Sequence, residues 1–404
     1  MNSPVQLDEE FVQDRPAMYR KLFEEGPVRP AVMPDGLRVW VVTRYADARE
    51  LLTNPAVSKD SEQAAPLHDQ QEQEGVQSTL LAEVLTTHML NLDPPDHTRL
   101  RRLVTKEFTP RRVEALRPWI SEVADGLLEE MAGKERVDLL TSYAFPLVVT
   151  VICELFGVPV VDRVRFRAIS TAIAVGTDPE EMGRASEEMA DYLQQLIAAK
   201  RASGEDDLLA ALIRARDEGD RLSETELVAM AFLLLTAGFE TTGNLIGNAV
   251  VALLTNPSQL AAVRADSALL PAAVEEALRY DGPAGTTTLR FTREPIVVGG
   301  VEIPAGEFVE VLLGGANRDP EVFERPDSFD VHRKSASHIA FGHGIHHCVG
   351  APLARLEGQI GLGRLLERFP GLALAVEPEK LRWRNSVLFH GREEVPVTLG
   401  AVAG

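Results

Sequence analysis

The chain has 404 residues, 45% hydrophobic and 25% charged, a globular composition with room for a core and an internal pocket. Its formal net charge of −20 excludes a general nucleic-acid binder. Two cysteines exclude a disulfide framework and point to a reducing, cytoplasmic setting.

The N-terminal stretch MNSPVQLDEEFVQDRP has no apolar h-region and no basic cluster, so neither a signal peptide nor a membrane anchor is expected. VRPAVMPDGLRVWVVT reads as two short strands around Pro34-Asp35-Gly36. Residues 59–79, KDSEQAAPLHDQQEQEGVQST, are polar, acidic and Gln-rich, and read as a mobile loop. From Arg99 to Asn256 apolar residues recur at three- and four-residue spacing, the pattern of helices. RLRRLVTKEF, VEALRPWISEVADGLLEEMA, EEMADYLQQLIAAKRA and DDLLAALIRARDE carry it. Cys153, in the apolar run LVVTVICELFGVP, reads as a buried core thiol.

The longest helix is predicted to start after Ser223, because Ser223-Glu-Thr-Glu226 is a capping box, and to end before Pro257. Its apolar stretch Leu227 to Phe239 falls short of the about 20 residues that span a bilayer. Any longer segment places Glu240 at its centre, so a helix buried in protein is expected. PAAVEEALRY follows, with Pro271 in its first turn. Strands are read in TTTLRFT, in IVVGGVEI turning on Gly299-Gly300, and in EFVEVLL. VGAPLARLEGQIGLGRLLERF is a helix starting just after Cys348. The predicted class is mainly α with a smaller β portion, in one compact unit over 1–404, because no linker divides the chain.

One stretch, FGHGIHHCVGAPLAR, holds four candidate metal ligands: His343, His346, His347 and Cys348. A structural zinc site takes spaced pairs of Cys or His, whereas three of these are consecutive and no second cluster exists. A lone thiolate is the better reading. Cys348 lies just before a helix, whose free amides lower a thiol's pKa, and Gly342, Gly344 and Gly350 clear the backbone for something flat. Phe341 is placed to shield the sulfur. That combination suits an axial ligand of haem iron, although the loop alone also fits an inert Cys in a Gly-rich turn.

Phe341-Gly-His-Gly344-Ile-His346-His-Cys348-Val-Gly350, continuing to Arg355, resembles the haem-ligand signature of the cytochromes P450. AGFETT (237–242) resembles their oxygen-activation motif, EALR (276–279) their Glu-x-x-Arg, and DPPDHTRLRRL (93–103) their haem-holding segment. The likeness covers nearly the whole chain and is greatest to bacterial, actinobacterial members that oxidise polyketides and macrolides. It implies the mainly α P450 fold, a helical prism with small β-sheets enclosing haem b. It also implies a monooxygenase that inserts one oxygen atom from O2 into a small molecule, as a hydroxyl or an epoxide. Electrons would come from NAD(P)H through a reductase and a ferredoxin.

The resemblance implies that Cys348 ligates iron, with Phe341 and Gly350 beside it, and that His97, Arg101, Arg290 and His346 hold the haem propionates. Gly238 is expected to let the long helix open locally for O2 and water. Thr241 and Glu240 form the expected proton relay; the ordinary alternative is a Thr bonded back to the preceding turn and a Glu in a buried ion pair. Glu276 and Arg279 are a structural pair. Ser328 stands where the family has the pair's third partner, an Arg, and Arg333 is the expected substitute. His347 stands where an aromatic residue is common. Residues on the Thr241 helix face, Ala237, Leu234 and Leu233, are pocket candidates. By family position so are Met89, Leu90, Ala284, Thr287, Leu388 and Phe389. Residues 97–117 hold seven Arg or Lys against two acids, which reads either as a solvated helix face or as a docking patch for an acidic ferredoxin, expected on the thiolate side of haem. A monomer without nucleic-acid or membrane partners is expected. The readings set against this one are a peroxide-driven peroxygenase, and a haem-binding sensor or electron carrier.

Overall fold

The computed structural model describes residues 3–76, 81–175, 178–203, 207–217, 222–334 and 337–400. Its axis is the helix Glu224–Leu254. The capping box is complete: Ser223 Oγ accepts from the Glu226 amide at 3.1 Å, and the Glu226 carboxylate accepts from the Ser223 amide at 2.6 Å. Glu226 also takes the guanidinium of Arg99, Nη1 at 3.3 Å, and so ties the helix Asp96–Thr105 to the start of the long one. The long helix is apolar on nearly every side and mostly buried. It packs against the helices Phe145–Leu155, Leu270–Asp281 and Ala351–Arg368. Length and composition would let it cross a membrane; here protein covers it instead. Cys153 lies fully buried in this helical core.

A six-stranded mixed sheet lies beside the helices, in the order Val5–Gln6, Val28–Val32, Arg38–Val42, Phe308–Val311, Arg290–Thr292, Val57–Ser58. Val28–Val32 and Arg38–Val42 form the hairpin read around Pro34-Asp35-Gly36. The register pairs Arg290 with Val309 and Ser58 with Phe291, which sets Lys59 and Arg290 on neighbouring strand ends. Ile296–Val298 and Val301–Ile303 form the second expected hairpin, with Gly299 and Gly300 at φ of 55° and 80°, where only glycine turns without strain. Ala373–Leu374, Pro396–Thr398 and Arg136–Asp138 make a small third sheet.

The stretch read as a mobile loop is a helix, Ser61–Gln73. Asp60 caps it, accepting from the amides of Glu62 and Gln63 at 3.1 Å each. The Gln71 side chain pairs with the backbone of Arg38 at 2.8 and 3.1 Å, and Ala64 is buried. Ala, Gln and Glu are good helix formers, so polarity misled where propensity decided. Residues 77–79 of that stretch lie outside the described residues. The run TTTLRFT is strand only over Arg290–Thr292, with Thr286 bridged singly to Leu312.

Candidate active site

The stretch around Cys348 is a tight loop. The Cys348 amide donates to Phe341 O at 2.9 Å, and that of His347 to Gly344 O at 3.1 Å. Gly344 has φ of 75°, and a Cβ there would come within 2.7 Å of Leu52 O, so the position needs glycine. Cys348 precedes the helix Ala351–Arg368, and the amides of Gly350 and Ala351 donate to its sulfur. The residue is solvent-accessible, yet enough protein surrounds it that desolvation pushes the thiol up. The amides, Arg101 and Arg355 pull it down, and burial wins. The low thiol pKa expected from the helix terminus alone is not found here, because burial outweighs the pull of the amides and guanidiniums.

Beside the sulfur, four elements bring ionisable groups together. His97 and Arg101 come from the helix Asp96–Thr105, Arg290 from the sheet and His346 from the loop. Lys59 joins them from the strand end, and sequence reasoning missed it. Lys59 is buried, its Nζ donating to Thr288 Oγ1 at 2.5 Å and Leu289 O at 3.2 Å. Arg290 is buried and donates to Thr288 O at 3.2 Å. The His97 and His346 rings lie against each other, and both ring nitrogens of His97 are buried without a partner among the described residues. Burial, then the charges of Lys59, Arg290, His97 and Arg101, drive the His346 pKa down to about 2. Burial also brings Arg290 down to about 10. Glu310 is close enough to act on both Lys59 and Arg290, but burial raises its carboxyl to about 8. Asp93 also acts on Lys59, Arg290 and His97 and with Glu310 offsets part of this charge, yet the buried cations and the orphaned His97 nitrogens still suit an anion. Arg101 leans the other way, its Nη2 donating to His347 O at 2.5 Å.

Opposite, the long helix runs unbroken through Gly238, so the local opening expected there is absent as a break. Ala237 is exposed, and Thr236, Gly238 and Thr241 are half-buried, between the enclosed runs Leu227–Leu235 and Thr242–Leu253. Thr241 Oγ1 donates back to Ala237 O at 2.8 Å. Glu240 is 1% exposed and ion-paired with Arg384, with Asn244 Nδ2 at 3.4 Å. Burial pushes the Glu240 carboxyl up against the pull of Arg384, Asn244 and Arg167. Arg384 was not legible in the sequence, because the tripeptide Arg382-Trp383-Arg384 gives no local sign of its partner.

The pocket candidates fall into two groups. Ala284 bridges Phe389, and Gly285 donates to Leu388 O at 2.8 Å, so these segments adjoin. The Met89 amide meets Met230 Sδ at 3.5 Å, one turn before Leu233 and Leu234, and brings Met89 and Leu90 to the Ala237 helix. Thr287 turns its hydroxyl to the sheet, accepting from the Val311 amide at 3.1 Å. His343 contacts Arg49 at 3.4 Å. His347 is exposed, its ring 6.3 Å from Phe341, over which the Arg355 guanidinium sits at 4.6 Å.

Glu276 and Arg279 make two bonds of 2.8 Å, and Arg333 Nε reaches both Glu276 oxygens at 3.1 Å. Arg279 also donates to Asn317 O, Pro326 O and Ser328 O. This triad fastens the meander 317–333 ahead of the Cys348 loop.

The family model described as Cytochrome P450 matches residues 149–388. Cytochrome P450 107B1 of Saccharopolyspora erythraea is 52% identical over 395 residues, covering 98% of this chain and 97% of that one. Cytochrome P450 monooxygenase PikC of Streptomyces venezuelae is 48% identical, covering 97% and 92%. The tirandamycin C-bound P450 monooxygenase TamI superposes with a TM-score of 0.93 at 46% identity, covering 98% and 100%.

Proposed function

The chain belongs to the cytochrome P450 family and is a P450 monooxygenase; on that premise we propose how its own residues divide the work. The carrying observation is the anion site around His97, set beside an accessible Cys348. A flat group bearing two carboxylates and a metal answers both features, so the residues present fit haem b. Cys348 would hold the iron, while His97, Arg290, His346 and Lys59 would hold the carboxylates, with Arg101 bracing the loop. When bound, the haem supplies O2 activation, and a thiolate ligand favours O–O cleavage.

Around it the protein binds, orients and moves protons. Leu233, Leu234, Ala237, Met89, Leu90, Ala284, Leu388 and Phe389 give an apolar wall for a largely apolar substrate. The substrate class proposed is a polyketide or macrolide; TamI, bound to tirandamycin C, supports it. Thr241 would pass a proton from its hydroxyl into the pocket and recover one from Glu240. Glu276, Arg279 and Arg333 keep the Cys348 loop in place, and the whole of 1–404 would act as one unit.

Electrons would arrive from NAD(P)H through a ferredoxin and its reductase. Of the seven basic residues in 97–117, Arg99 is paired with Asp96 and Glu226, Arg112 with Glu107 and Arg117 with Glu114. Exposed Arg102 and Arg111 carry no ion pair among the described residues, and Lys106 is 61% exposed. These three form the ferredoxin-facing patch of a cytoplasmic monomer. Purified protein reconstituted with haem, a ferredoxin, its reductase and NADH tests the reading against a macrolide panel. Substrate-dependent NADH and O2 consumption with a product one oxygen heavier is expected. Consumption that ignores every substrate would overturn it.

A further inference from the structure

Arg15 carries a guanidinium into the core with no acid to meet it. The residue opens the helix Arg15–Glu25 and is 2% exposed, and among the described residues it pairs with no carboxylate. Its partners are two successive carbonyls of a distant turn: Nη1 donates to Val387 O at 3.1 Å and Nη2 to Ser386 O at 2.5 Å. A charge that deep is tolerated only where hydrogen bonds replace water, and the planar fork of arginine suits two neighbouring acceptors as lysine does not. Nε is buried without a partner among the described residues, so the hydrogen bonds of the side chain all go to the turn.

The neighbouring chain leaves room for that contact. A Cβ on Gly285 would fall 1.9 Å from Arg15 Nη1 and 2.5 Å from Val387 O, so only glycine fits beside the guanidinium and the turn. The Gly285 amide donates to Leu388 O at 2.8 Å, and Ala284 bridges Phe389. Val387 packs in one apolar cluster with Phe11, Val12 and Trp383, whereas Leu388 and Phe389, next along, are only half-buried. The same segment is tied to the long helix on its other side, where His390 O accepts from Asn248 Nδ2 at 2.8 Å. The N-terminal segment has its own anchors. Gln13 exchanges two hydrogen bonds with the Trp383 backbone, at 2.7 and 3.1 Å, and Val5–Gln6 pairs with the sheet.

We propose that Arg15 is a specificity-determining positioning residue: from the N-terminal segment it fixes the turn 386–389, and so sets where Leu388 and Phe389 stand in the substrate wall. This rests on the reading of Leu388 and Phe389 as pocket residues. Arg15 acts only through the turn. Without its two bonds, the carbonyls of Ser386 and Val387 lose their donors inside the protein, and the turn must shift to find others. Leu388 and Phe389 move with it, so the pocket changes shape on that side. The Cys348 loop, which Arg15 does not bond, stays in place.

The test uses the haem-loaded enzyme and two ligands that coordinate iron: imidazole, which is small, and clotrimazole, an imidazole whose three aryl rings reach the walls. Dissociation constants are read from haem difference spectra, without turnover. R15M keeps the length of the side chain and removes its donors. Its ratio of the two constants should move about tenfold from native, the worth of roughly one misfitted methylene, with imidazole alone within about twofold. Q13A frees the same segment at Trp383 instead; it should lower the thermal midpoint and leave the ratio native. A native ratio in R15M, or an equal change in Q13A, would overturn the proposal. If R15M does not retain haem, R15K carries the test, because lysine cannot serve both carbonyls at once: a moved ratio supports the proposal and a native one overturns it. L388A/F389A separates the two readings. A moved ratio there with none in the Arg15 variants removes only this inference. A native ratio there removes the pocket reading beneath it.

Discussion

The rings of His97 and His346 lie with centroids 4.3 Å apart at 52°, one from the helix Asp96–Thr105 and one from the Cys348 loop. The contact brings these two segments into register, while leaving both nitrogens of His97 without a partner among the described residues, one of them an N–H able to donate. Replacing His97 with Phe keeps the ring contact and removes the donor. A hydrogen bond to a charged group contributes about 1.5–3 kcal/mol, so haem transfer to an apoprotein acceptor should speed up by roughly ten- to a hundredfold. A transfer rate equal to native would mean that His97 holds no carboxylate.

Cys348→Ala removes the only sulfur in the loop. The variant is expected to lose the red-shifted Soret band of the ferrous–CO complex while keeping its circular dichroism, since the Cys348 amide bond to Phe341 O survives. An unshifted band in the variant would sink the ligand assignment.

The buried triad sets the stability of the meander. Glu276 and Arg279 side chains are 4% and 1% exposed, and Arg333 is 9% exposed. Glu276→Gln strips the shared anion from two buried guanidiniums, a change that costs about 3–5 kcal/mol. Urea denaturation should show a midpoint lowered accordingly; a shift worth under about 1 kcal/mol would contradict the buried geometry.

Arg102→Glu with Arg111→Glu reverses two exposed charges of the basic face that carry no ion pair among the described residues. Reduction by an acidic ferredoxin should slow severalfold at low salt, and the native rate should itself decline as ionic strength rises. A rate indifferent to salt would place the docking surface elsewhere. The CO band should stay native in the double variant, because neither residue touches the haem cluster.

Acid should destabilise the fold earlier than carboxylates alone would cause. Burial holds His88 and His390 each at about 4, against 6.5 when unfolded. The unfolded chain therefore binds more protons between those values. The histidines contribute stability fully above pH 6.5, and it is lost as pH falls from 6.5 towards 4. Thermal midpoints at pH 7 and pH 5 measure this. His88→Phe, which keeps the stack on Phe232, should flatten the difference. Equal slopes in native and variant would show that His88 does not titrate with unfolding.

What could be read from the sequence was local or carried by motif. The capping box fixed where the long helix starts, and Gly299-Gly300 fixed a hairpin, because both act within a few residues. The Cys348 loop and the Glu276 pair were legible as motifs, and the position of Arg333 followed from a missing arginine. Lys59 and Arg384 were not legible. Each finds its partners through strand register or through a segment 144 residues away, and nothing in their neighbours' composition records that. The helix Ser61–Gln73 was misread because one polar composition serves both a solvated helix and a loop.

Glu226 has a consequence for recombining this enzyme with its relatives. One carboxylate closes the capping box and receives Arg99, so it couples the start of the long helix to the segment bearing His97. Swapping in a relative's 96–105 without its 223–226, or the reverse, exchanges only half of that coupling. A crossover that keeps both halves from one parent preserves the spacing between the two walls of the haem cleft, whatever happens to the substrate-facing residues between them.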